Sequence, residues 1–170
     1  MVPLKDNGLE RSAAAQDDLD WLVANKGVQR PEPKPAGPGA TYVALLERLA
    51  ADDVPAFMCH FYNFTFAHTA GGRMIGKAVS NAILDGAELS FYKYEGDPSA
   101  LADALKEKIE AVAQTWSEEE RKRSVAQTAE TFEYSGKLLR CITLESDDDA
   151  ALGGGEGAGQ EGEKEMAIAA

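Results

Sequence analysis

Phe57-Met-Cys-His60-Phe-Tyr62-Asn-Phe-Thr-Phe-Ala67-His68-Thr-Ala-Gly71-Gly72-Arg73-Met-Ile-Gly76-Lys77 is the stretch on which the reading of this sequence turns. It lies inside a long helical pattern from about residue 54 to residue 84, and Gly86 is well placed as a C-terminal stop. Two adjacent glycines within a helix cost roughly 1 kcal/mol each relative to alanine. A helix that keeps them needs a kink, or needs its backbone very close to something. Ala67, Ala70, Gly71 and Ala78 extend this small-residue surface. A face without side-chain bulk suits a large planar ligand, and it equally suits close helix–helix packing. Spacing alone leaves both open.

The same stretch holds the only two histidines, His60 and His68. Eight residues apart, they are separated by about 80° around a helix, so they do not form the i, i+4 pair that a metal favours. His60 reads as a hydrogen-bonded core residue. His68, at the edge of the glycine surface, is the candidate for function. Arg73 and Lys77 form an i, i+4 basic pair of the kind usually found on a solvated face. Lys108 lies about 60° from Leu105 on a helical wheel, inside an apolar sector. It can snorkel to water or meet a ligand carboxylate at a pocket rim. Lys106, at about 100°, reads as solvated.

Outward from this core, the pattern is helical almost throughout. Residues 8–25 form a weak amphipathic helix with Leu9, Ala13, Leu19, Leu22 and Val23 among charges. Residues 31–39 contain four prolines, whose fixed φ angles and missing donors force an extended connector. Thr41 is a good N-cap for a helix to about residue 50, with Tyr42, Leu45, Leu46 and Leu49 on one face. Asp97-Pro98 is an N-cap followed by proline at the first helical position, and Leu101, Leu105, Ile109, Val112 and Trp116 follow as its face. Ser117-Glu-Glu-Glu120 reads as a capping box opening a last long helix, with Val125, Ala129, Phe132, Leu139 and Ile142 as its stripe. Residues 88–94 are the only candidate strand, and it is short. The fold class is all-α.

The chain has 170 residues and a net charge of −12. Residues 146–170 carry seven acidic residues, one lysine and six glycines, a composition expected to stay disordered because too little surface can be buried. With that tail's −6 removed, about −6 remains on residues 1–145, the expected globular part. This leaves no broad basic field for nucleic acid. No apolar run approaches the roughly 18 residues of a membrane span, and Met1 leads into a polar segment without a signal-peptide pattern. Cys59 and Cys141 form no disulfide scaffold or zinc motif and read as buried free thiols in a reducing compartment.

Cys59-His-Phe-Tyr-Asn63 followed by Phe66-Ala-His-Thr-Ala-Gly-Gly-Arg-Met-Ile-Gly-Lys77 closely resembles the distal helix of plant-type heme oxygenases. Three further motifs share the resemblance: Asn7-Gly-Leu-Glu-Arg-Ser12, Glu88-Leu-Ser-Phe-Tyr-Lys-Tyr94 and Phe132-Glu-Tyr-Ser-Gly-Lys-Leu-Leu-Arg140. It runs with few gaps from about residue 7 to residue 144. The resemblance implies an all-α fold that clamps heme between a proximal and a distal helix. It implies oxidative opening of heme, as both substrate and cofactor, to biliverdin, carbon monoxide and iron, with O2 and electrons from ferredoxin. It also implies a chloroplast location and a product used for bilin synthesis. Position by position, Gly71 and Gly72 match the distal glycines, and His68 stands where other branches carry an acidic residue that organises water. Ala67 belongs to the same distal surface. Tyr62 and Lys108 fall near propionate-contacting positions, and Phe132 near a pocket wall.

The sequence also departs from the family pattern. In the family a histidine of the first helix, upstream of Asn-Gly-Leu-Glu-Arg, binds the iron. Here that motif starts at residue 7 and no histidine precedes His60. The expectation is therefore an incomplete, N-terminally truncated heme oxygenase-like fold without the proximal helix, and a chain not expected to turn over on its own. A non-catalytic tetrapyrrole-binding protein is the alternative, and a helical interaction module a third.

Overall fold

The computed structural model describes residues 4–32 and 34–141. The acidic stretch 146–170, along with Ile142 of the expected last-helix stripe, lies outside the described residues. Within them every regular element is helical: α1 (Ser12–Lys26), α2 (Pro38–Asp52), α3 (Val54–Ala67), α4 (Arg73–Ile83), α5 (Pro98–Ala113), α6 (Glu118–Ala126) and α7 (Thr128–Leu139). A five-residue π-turn, His68–Gly72, joins α3 to α4. No helix among the described residues is long and apolar enough to cross a membrane.

Helix α3 is the centre of the packing, contacting α2, α5, α6 and α7. The core gathers Tyr42 and Leu45 from α2, Ala56, Met58 and Cys59 from α3, and Leu105 from α5. A polar cluster sits inside it. His60 is fully buried; its Nδ1 lies 3.0 Å from the Tyr42 hydroxyl and 3.2 Å from Thr131 Oγ1, and its Nε2 lies 3.2 Å from Gln127 Oε1. With Gln127 as acceptor, the proton sits on Nε2 and Nδ1 accepts from Tyr42. Burial, reinforced by Cys59, Glu130 and Tyr134 nearby, pushes the Tyr42 phenol up to about 12, so it stays a donor. Tyr134 stacks on Tyr42 with ring centroids 4.7 Å apart.

That cluster corrects the expected last helix. The run from residue 118 breaks at Gln127 into α6 and α7, and the expected apolar stripe faces outward: Val125, Phe132 and Leu139 are all exposed. Thr131 is the residue buried on α7, because Thr131 and Gln127 are the groups that satisfy His60. Unpaired buried polar atoms cost more than exposed apolar ones, so polar pairing chose the inward face.

Smaller corrections follow the same local logic. Helix α2 begins at Pro38, with Gly37 as N-cap, and Thr41 instead donates its hydroxyl to the Gly37 carbonyl from inside the helix. Helix α1 starts at Ser12, because the Asn7 side chain accepts from Leu9 N–H and Glu10 accepts from the N–H groups of Asn7 and Gly8, making a turn. Residues 88–94 form turns and irregular chain, not a strand. The Asp97 cap and the Ser117–Glu120 capping box form as expected. Beyond α4, Gly86 adopts a left-handed conformation (φ +78°) and its N–H reaches the Ser80 carbonyl at 3.1 Å, which closes the helix.

Candidate functional site

The glycine pair works through the π-turn. Its extra residue widens one helical turn, a defect often found at functional sites. Thr69 contributes by turning its hydroxyl back to the Thr65 and Phe66 carbonyls, at 3.0 and 3.2 Å. The two glycines then face different ways. A β-carbon on Gly71 would meet nothing within 4 Å. One on Gly72 would come within 3.0 Å of the Tyr92 ring and hydroxyl and 3.2 Å of His68 Nδ1. One on Gly76 would overlap the Tyr92 ring.

The open side is a stripe. Phe64, Ala67, Ala70, Gly71, Met74 and Ala78 are all exposed, and their spacing places them along one face. It is apolar, low in relief at its centre and edged by Phe64 and Met74. The closed side holds His68. Its ring is half-buried, set edge-on to Phe64 (4.5 Å) and Phe91 (5.4 Å), with Nδ1 3.2 Å from the Tyr92 hydroxyl. Burial lowers its pKa below the ordinary value of 6.5, so His68 is a neutral imidazole at neutral pH.

The remaining sequence-derived candidates lie on the surrounding helices. Tyr62 is half-buried, its ring 4.4 Å from that of Phe66. Helix α5 packs against the π-turn and carries Lys108, also half-buried. Its neighbour Lys106 is not the solvated residue that the wheel suggested: it is half-buried, with Nζ 5.4 Å from the centre of the Phe66 ring. Phe132 projects from α7 and is exposed. His68 and Gly72 are thus brought together, Ala67 and Gly71 share the open stripe, and Tyr62 and Lys106 meet through Phe66.

Sequence reasoning assigned no role to the group that holds the closed side. The Asp18 carboxylate, buried near the middle of α1, accepts from the N–H groups of Ser90 and Phe91, the latter at 2.9 Å. Arg11 Nη1 donates to the carbonyls of Lys93 (2.6 Å) and Phe91 (3.3 Å), and its guanidinium lies 4.2 Å from the centre of the Tyr94 ring. An aspartate in the run Asp17-Asp18-Leu-Asp20 reads as one more solvated charge. The aromatic density of residues 91–94 was the available signal. Among the described residues no three His, Cys, Asp or Glu side chains gather as metal ligands.

Fold and site together define an all-α protein whose central helix bares its backbone on one side and seats a neutral histidine on the adjacent side. Over 138 residues, 81% of its length, the chain is 49% identical to heme oxygenase 1, chloroplastic, of Oryza sativa subsp. japonica. It is 46% identical over the same length and share to heme oxygenase 1, chloroplastic, of Arabidopsis thaliana. It is also 40% identical over 143 residues, 84% of its length, to the rice protein named probable inactive heme oxygenase 2, chloroplastic. These matches cover 47%, 48% and 42% of the relatives, so the chain spans about half their length. No protein-family model matches. Over the matched span the chain is homologous to these plant chloroplast heme oxygenases.

Proposed function

We propose that this chain supplies the distal face of a chloroplast heme oxygenase, which opens heme to biliverdin, carbon monoxide and iron with O2 and electrons from ferredoxin. The observation that carries this reading is the exposed stripe Ala67, Ala70, Gly71 at the π-turn. A planar tetrapyrrole needs a face without projecting side chains, and Gly71 leaves open space where any other residue would place a β-carbon. Heme in this site is the substrate and brings the iron chemistry; the chain supplies the platform, the apolar edges and a neutral histidine beside it. Lys106 and Lys108 are the cations on the helix packed against the turn, suited to the carboxylates of such a ligand, with Tyr62 across Phe66. Phe132 is read as an outer wall.

Neither histidine of this chain is read as the iron ligand. His60 has both ring nitrogens engaged in the core, and His68 turns Nδ1 to Tyr92. In this reading the axial imidazole comes from elsewhere. Hemin titrated into the purified chain should shift the Soret band, and Gly71→Leu should abolish the shift without loss of the fold. Reduced ferredoxin, O2 and imidazole as a replacement axial ligand should then yield biliverdin absorbance. No Soret shift in the wild type would sink the proposal.

A second reading is a tetrapyrrole-binding protein without turnover. The match to proteins named probable inactive heme oxygenase 2 favours it, although identity is higher to relatives without that qualifier. It predicts the same Soret shift and no biliverdin under any electron supply.

A further inference from the structure

The segment carrying Phe91 and Tyr92 is held more firmly than its lack of secondary structure suggests. Two of its N–H groups bond to Asp18 and two of its carbonyls bond to Arg11, all from the N-terminal part of the chain. The clamp delivers the Tyr92 ring onto the helix at the one line where it can come close, over Gly72 and Gly76. These positions are four apart and so share a face with His68, four residues earlier. The glycines are therefore needed on this side for a protein side chain, independently of any ligand on the other.

From this geometry we infer that Tyr92 is a positioning residue for His68: its hydroxyl donates to Nδ1, fixing the ring's orientation and leaving the proton on Nε2. The assignment rests on the distal-face reading above for its functional meaning. The proton inventory agrees with it. Burial raises the Tyr92 phenol and lowers the His68 imidazole, so at neutral pH one group has a proton to give and the other a free lone pair. Among the described residues, the phenol is the hydrogen-bond partner found for Nδ1. The rings of Phe64 and Phe91 offer no alternative acceptor or donor and restrict the imidazole from its edges. Orientation of a histidine by a bond to its other nitrogen is the arrangement that general acid–base and water-organising histidines require.

Long-range proton–nitrogen spectra of the 15N-labelled full chain test this directly, since only two histidines contribute. His68→Gln assigns the signals. Wild-type His68 should show protonated Nε2 and unprotonated Nδ1, and Tyr92→Phe should replace this with exchange between tautomers while the His60 pattern stays unchanged. Protonated Nδ1 in the wild type, or an unaltered His68 pattern in the variant, overturns the assignment. If Tyr92→Phe also disturbs His60, 3-fluorotyrosine at position 92 keeps the ring seated and makes the phenol a stronger donor. A shift at Nδ1 then supports the bond, and none overturns it.

Zinc protoporphyrin, which binds without turnover, separates this inference from the one beneath it. Its binding should perturb the His68 ring signals and be about fivefold weaker in Tyr92→Phe, the factor for one ordinary hydrogen bond. If no porphyrin binds the wild type, the distal-face reading fails and takes the functional role with it. If it binds both forms equally and shifts His68 identically, Tyr92's role alone is overturned.

Discussion

The two histidines of this chain stand eight residues apart on one continuous stretch, and the fold puts them to opposite uses. His60 is fully buried with both nitrogens bonded, among Tyr42, Thr131 and Gln127 from two other places in the chain. His68 is half-buried in the π-turn, caged by aromatic edges and held through one nitrogen. A histidine with every polar atom spent can do nothing but hold structure. One with a fixed ring beside a bare helix face can act on something else. What separates them is the number of partners, a property of the tertiary fold.

The sharpest break of this comparison is stability. His60→Ala should cost about 3–5 kcal/mol, because it opens a core cavity and strands the Tyr42 hydroxyl and the Gln127 amide. His68→Ala should cost only about 1 kcal/mol, since its neighbours can reach water. Denaturant midpoints measured for both variants check the pair; equal losses would erase the distinction.

The glycines give the next contrast. Gly76→Ala should destabilise by about 1–2 kcal/mol, the strain of displacing the seated Tyr92 ring exceeding the helical gain of alanine. Gly71→Ala meets open space and should stabilise by about 0.5–1 kcal/mol. If the open face is a tetrapyrrole platform, that gain comes with weaker hemin binding, which a Soret titration of the same variant reads.

Much of this fold was legible because its signals are local. Asp97-Pro98, the Ser117–Glu120 box and Gly86 act within a few residues of themselves, and all three formed as read. The α6–α7 break and the outward turn of Phe132 were not legible, since they answer to His60, 67 and 71 residues away from its α7-side partners. For the site, the glycine pair could be read, yet the different surroundings of Gly71 and Gly72, one open and one against Tyr92, follow from the π-turn and the Tyr92 ring. Asp18 was hidden for the same reason: its partners at residues 90 and 91 lie more than 70 positions along the chain. Removing its charge with Asp18→Asn should cost about 1–3 kcal/mol, the range for a charged acceptor of two buried donors. It should also loosen Tyr92 from His68, visible in the same imidazole spectra.

The smallest expected effect lies in the pH dependence, and it bears on His68 alone. Burial depresses its folded pKa below the ordinary 6.5, so on acidification the unfolded chain takes up this proton before the folded one does. Stability attached to His68 is therefore full above about pH 6.5 and declines as pH falls from there toward the folded pKa. His68→Gln removes the titrating group while keeping a polar side chain of similar reach. Melting temperatures taken between pH 7.5 and pH 5.5 should fall slightly less steeply in His68→Gln than in the wild type. Parallel slopes would mean that the ring titrates as it does in the unfolded chain, and the closed side of the helix would then be wetter than its aromatic cage implies.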